Sequence, residues 1–178
     1  TALDTNGYYG ERLSDAELEA IDLVLLDLKG WDPERHRTLT GMEVANASIY
    51  DGASALAEAA LMAARVTRRT RICVSAGLHP HWREVLRTYT EGIGLTLATL
   101  DLDAAGRTRI HALPADTAAV IVQSPNFFGT IERIHDITEI AHRHEALSVV
   151  NICEAMSLGI LKPPGQDASE SRTADIVV

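Results

Sequence analysis

Apolar residues fall along this chain in two alternating patterns: short unbroken runs and longer periodic stretches. The unbroken runs are Asp22–Lys29 (DLVLLDLK), Arg71–Ala76 (RICVSA), the part of Gly92–Leu100 that follows a turn, Thr117–Gln123 (TAAVIVQ), Leu147–Ile152 and Ala174–Val178. Runs of this length, rich in Val, Ile and Leu, read as strands buried on both faces, as in a parallel sheet. Thr1–Asp4 reads as the end of one more strand. Helical stretches lie between the runs. Ser14-Asp15-Ala16-Glu17 matches a capping box, with Leu13 and Leu18 placed as a hydrophobic staple, and predicts a short helix to about Ile21. Asp32-Pro33 predicts another helix, ending near Leu39. In His79–Glu91 the residues Trp82, Val85, Leu86 and Tyr89 fall at helical spacing. In Thr130–His144 the residues Ile131, Ile134, Ile137, Ile140 and Ala141 do the same. The mixed polar segment 101–115 is expected to hold a short helix around Arg109.

The stretch Asn46–Arg65 (NASIYDGASALAEAALMAAR) is the centre of the pattern. Asp51-Gly52 predicts a turn, because Gly tolerates positive φ and Asp bonds nearby backbone. From Ala53 onward the residues are strong helix formers, and Glu58 alone carries charge before Arg65. A helix so apolar is expected to be buried between layers. Its N-terminal amides, beside Asp51, Gly52 and Ser54, make either an ordinary cap or a cradle for an anion.

Strands alternating with helices imply an α/β fold with a mostly parallel sheet, and ligands of such sheets bind at the carboxyl ends of the strands. Those ends carry Ser75-Ala76-Gly77-Leu78-His79-Pro80, then Gln123-Ser124-Pro125-Asn126, then Cys153-Glu154. An imidazole at His79 suits stacking on a flat cofactor or moving a proton, and equally suits capping the helix that follows. Asn126 precedes Phe127-Phe128, two adjacent aromatics that read either as a lid or contact surface or as a core anchor. His81, His135, His142 and His144 are expected to be solvated. His142 and His144 diverge on a helix and make poor joint metal ligands.

Composition narrows the picture. The 178 residues are 46% hydrophobic, 23% charged and only 4% aromatic, which implies a globular protein with an aliphatic core. A formal charge of -9 argues against non-specific binding to nucleic acid and to anionic membranes. No apolar run is long enough to span a bilayer, and no secretory leader is recognisable. Cys73 and Cys153 are expected to be buried free thiols in a reducing, cytoplasmic setting. No paired-cysteine motif for zinc or an iron–sulfur cluster is present. The only lysines are Lys29 and Lys162. The chain begins at Thr1 and ends in a strand pattern, so it reads as a segment of something longer.

The segments LTGMEVANASIYDGASALAEAALMA, HPHWREVLRTY, TAAVIVQSPNFFGTIE and SLGILKPPG followed by ADIVV resemble, in order, subunit 1 of the two-subunit glycine decarboxylase, the P-protein of the glycine cleavage system. The resemblance implies a partial three-layer sandwich, an incomplete large domain of a fold type I pyridoxal phosphate enzyme with open sheet edges. It implies pyridoxal phosphate as cofactor, bound through a partner, subunit 2, which carries the Schiff-base lysine. It also implies a lipoyl carrier (H) protein that accepts the aminomethyl group. Asp51, Gly52, Ser54, His79 and Asn126 are the residues expected to line the cofactor cleft, and no catalytic residue is assigned to this chain. The family pattern departs at Gln166–Thr173, which is longer and more polar here, and at Glu154, where Asp or Asn is usual.

Residues 1–42 instead resemble a middle piece of the pyruvate formate-lyase activating enzymes, a radical S-adenosylmethionine family, with Asp4, Thr5, Asp27 and Lys29 on the matching LDTNG and LDLK segments. That family's cysteine cluster is missing, so this part is expected to be silent. The two resemblances meet at Leu39-Thr40-Gly41-Met42. The expected organisation is a short βαβα fragment over 1–42 followed by a truncated domain over 43–178, joined as a chimera. The rival functional readings are a non-catalytic α/β scaffold and, more remotely, a radical S-adenosylmethionine activase.

Overall fold

The computed structural model describes residues 2–5, 23–26, 51–165 and 172–178. Strands β1 (Ala2–Thr5) and β2 (Leu23–Leu26) pair in parallel as a separate two-stranded sheet. The two helices expected over 14–21 and 32–39 and the junction at Leu39–Met42 lie outside the described residues.

The main sheet has five strands, β3 (Arg71–Ser75), β4 (Thr96–Leu100), β5 (Thr117–Gln123), β6 (Leu147–Asn151) and β7 (Ile176–Val177), in the order β4-β3-β5-β6-β7. Every neighbouring pair is parallel. Helices α1 (Gly52–Thr67), α2 (Pro80–Glu91) and α3 (Ile134–Arg143) cover it. Alternate strand residues feed two cores. Ile72, Val74, Ala119, Ile121 and Val149 pack with α1 and with Leu86 of α2. Cys73, Val120, Val122 and Val150 pack with Ile137 and Ala141 of α3. Both faces of the sheet are therefore covered, as the unbroken apolar runs require. From β3 the chain moves one way to β4 and then returns past β3 to β5 and β6, so right-handed crossovers put α2 and α3 on opposite faces. This is the three-layer α/β architecture expected, with β4 and β7 as its outer strands.

Several local expectations are corrected. Asp51-Gly52 does not form a separate turn: extended Asp51 is the N-cap of α1, and its side chain accepts a hydrogen bond from Ser54 N. Segment 101–115 has no helix at Arg109. Leu102 and Thr108 form an antiparallel bridge, closed by Asp103 Oδ1, which accepts from the amides of Ala105 and Arg107. Helix α3 starts at Ile134 rather than Thr130, because Gly129 has φ 79° and Thr130 N donates to Asn126 Oδ1. Ile131 therefore lies outside the helix, exposed. Helix α1 buries Leu56, Ala57, Ala60 and Ala63, while Val66 at its far end is exposed. Cys153 is exposed, whereas Cys73 is buried. His142 is half-buried and bonded to Asp175 Oδ2 at 2.8 Å, and His135 Nδ1 lies 2.9 Å from Arg172 O. These two imidazoles are tied down rather than solvated.

Candidate functional site

The direction of strand order reverses between β3 and β5, and the crevice outside their carboxyl ends is where an open parallel sheet binds ligands. Two loops leave the sheet there and lock together. His79 N donates to Gln123 Oε1 at 3.0 Å, Gln123 Nε2 donates to Pro125 O, and Phe127 N donates to Gly77 O at 2.8 Å. The Ser124–Pro125 peptide is cis.

His79 stands at the centre. Its Nδ1 accepts the amide of His81 and so caps α2, with Pro80 in the first turn. Its half-buried ring meets Phe127 edge-on at 4.9 Å, His81 edge-on at 5.2 Å and Trp82 at 6.1 Å. Phe127 in turn meets exposed Phe128 at 5.5 Å. Trp82 links this cluster to α1: a Cβ added at Gly52 would lie 2.3 Å from its ring, so only Gly lets the indole sit there. Gly52 and His79 thus both border one half-buried indole, and Asp51 is next to Gly52 in the chain. Sequence reasoning assigned Trp82 to a helix face and missed that role; the signal available was Gly at the start of an Ala-rich helix.

Asn126 sits behind this surface, buried. Its Nδ2 donates to Gly106 O and Glu132 Oε1, and its Oδ1 accepts from Phe128 N and Thr130 N. All its hydrogen-bonding atoms are used inside the chain, so it shapes the loop and does not reach the crevice. Ser54 presents its amide to Asp51, not outward. Glu154 is exposed and caps the 3-10 segment Ala155–Gly159 through Met156 N. Lys162 lines a cavity of about 340 Å³ at the start of α3 with Ser124, Arg133, His135 and Arg172.

The N-terminus of α1 does not fit a phosphate on this chain's terms. Asp51's carboxylate already accepts the Ser54 amide, and this bond is the main cause that holds its carboxyl below the ordinary value. A second anion would meet that charge and compete for the same donor. Among the described residues no group of three His, Cys, Asp or Glu is placed to hold a metal ion, and no helix is long and apolar enough to cross a membrane.

Residues 36–178 match the family described as Glycine cleavage system P-protein. The chain belongs to that family. Within it, the chain is 50% identical over 133 residues to the probable glycine dehydrogenase (decarboxylating) subunit 1 of Koribacter versatilis (strain Ellin345), covering 72% of this chain and 30% of that protein. The chain therefore spans less than a third of the length of such relatives. A crystal structure of glycine decarboxylase (P-protein) of the glycine cleavage system, in inhibitor-bound form, matches with TM-score 0.71 and 45% identity, over 82% of this chain and 32% of that one. A sphingosine-1-phosphate lyase of Burkholderia pseudomallei K96243 matches at TM-score 0.50 and 20% identity, over 71% of this chain and 30% of that one, which is a likeness of fold. The fold is that of the fold type I pyridoxal phosphate enzymes, and family and fold together imply that cofactor. The family match begins upstream of Leu39–Met42, so that string lies inside it.

Proposed function

We propose that this chain is part of subunit 1 of a glycine decarboxylase and forms one wall of a cleft that subunit 2 completes. The family supports the reaction class. The observation that carries the division of labour is the α1 N-terminus, where Asp51 occupies the donor that a cofactor phosphate would need. The chain is also poor in amines. Its only lysine among the described residues, Lys162, lines a cavity with Arg133 and Arg172 whose lining does not include His79. A Schiff-base lysine and the phosphate site are therefore assigned to subunit 2, in the cytoplasm, with a lipoyl carrier protein taking the aminomethyl group.

When bound, the cofactor supplies the electron sink that lets glycine lose carbon dioxide. This chain's residues give shape and exclude water. His79, Trp82 and Phe127 present an aromatic wall. Gly52 leaves room for the Trp82 ring, Asp51 caps α1 through the Ser54 amide, and Asn126 holds the loop under Phe127.

The test is exchange of bicarbonate into glycine, with the chain alone and with added subunit 2, pyridoxal phosphate and the lipoyl carrier. Exchange only in the complete mixture is expected. No exchange at any ratio would leave the chain a non-catalytic scaffold and overturn the reading.

A further inference from the structure

The carboxylate of Glu132 is buried, with 5% of the residue exposed, and the function proposed above makes no use of it. It ties three separate segments together. Glu132 Oε2 accepts the Thr108 amide at 2.9 Å. Glu132 Oε1 accepts the Thr108 hydroxyl at 2.9 Å and Asn126 Nδ2 at 3.0 Å, and its own amide donates to Ser124 Oγ at 3.2 Å. Because the Thr108 hydroxyl gives its proton to Glu132, the Ser75 hydroxyl 2.6 Å away must donate to Thr108, and Ser75 Oγ then accepts the Gly77 amide. A chain of hydrogen bonds thus runs one way, from Gly77 through Ser75 and Thr108 to the carboxylate, each bond polarising the next.

Both loops of the crevice end on this chain. Gly77 also holds Phe127 through its carbonyl, and Asn126 holds Phe128 and Thr130. The packing leaves little slack, since a Cβ on Gly77 would lie 3.0 Å from Asn126 Nδ2 and 3.2 Å from Ser75 Oγ. We infer that Glu132 is a positioning residue: acting through Thr108 and Asn126, it fixes Phe127 against His79 and so sets the aromatic wall of the crevice. The clasp stands on these contacts alone, whereas its bearing on turnover rests on the proposed function.

Hydrogen exchange and NMR of the full 178-residue chain test the clasp. In Glu132→Gln one amide nitrogen must face a donor whichever way the side chain turns. Thr108→Val keeps the volume but loses the hydroxyl, and Thr108→Ser keeps the hydroxyl. The expected result for the first two is exchange at the Phe127 amide faster by about tenfold, with the His79 ring resonances moved and the Ile121 amide unchanged. Thr108→Ser should restore both signals. Unchanged Phe127 and His79 signals would overturn the inference, and so would equal loss of protection at Ile121, which marks general loosening. Should Glu132→Gln not fold, Thr108→Val carries the test. In the complete mixture, Thr108→Val should raise KM for glycine by about fivefold and leave kcat nearly unchanged. Unchanged KM with Phe127 released would overturn the link from clasp to cleft. Absence of exchange in the wild type would sink the proposed function and leave the Phe127 result standing.

Discussion

At the scale of single residues, charge placement makes the sharpest difference. Asp51 is an N-cap whose carboxyl is held low by the Ser54 amide. A carboxyl with a depressed folded value stabilises above its unfolded value, about 3.9, and that contribution fades as pH falls through the folded value. Asp51→Asn keeps the cap and removes the charge. Its Tm should lie below the wild type at neutral pH, and the gap should close as melts are taken down toward pH 2 or so. A gap unchanged with pH would show that the charge does nothing there. The thiols offer a second check. Burial pushes the Cys73 thiol up and closes it off, whereas Cys153 is exposed although burial raises it too. A thiol reagent should label Cys153 alone in the native chain and both cysteines after unfolding.

At the scale of elements, the connections rather than the strands decide the site. Arg69, just past α1, donates to the carbonyls of Thr117, His144 and Glu145 and pairs with the Glu145 carboxylate, pinning the helix end to two other segments. Arg69→Ala should cost about 2 kcal/mol in a denaturant titration, with Arg69→Lys recovering only part, since an ammonium lacks the guanidinium fork. Gly52→Ala would favour the helix by propensity yet displace Trp82, so a red-shifted Trp emission is expected. Strands were legible because runs such as Thr117–Gln123 have only one reading when both faces are covered. Helix starts were less so. Thr130–Glu132 has helical spacing, but Asn126 and Gly129 commit that stretch to a loop through contacts distant from the periodic pattern. The Ser75–Thr108–Glu132 clasp was invisible in the sequence because its members are joined by topology and share no motif.

At the scale of the whole molecule, the family and the parallel sheet were both readable, the one from long motif strings and the other from apolar runs. What the strings did not convey is which expected site residues face the crevice. Asn126 is an inner strut, and Asp51 takes the ordinary-cap alternative at the start of α1. The central claim is that the amine and the phosphate site belong to a companion subunit. The direct measurement is borohydride reduction in the presence of pyridoxal phosphate, followed by peptide mass mapping, on the chain alone and on the chain mixed with subunit 2. The account predicts a pyridoxyl adduct on a subunit 2 peptide, in the mixture that exchanges bicarbonate into glycine. A stoichiometric adduct on Lys162, with exchange by the chain alone, would contradict it.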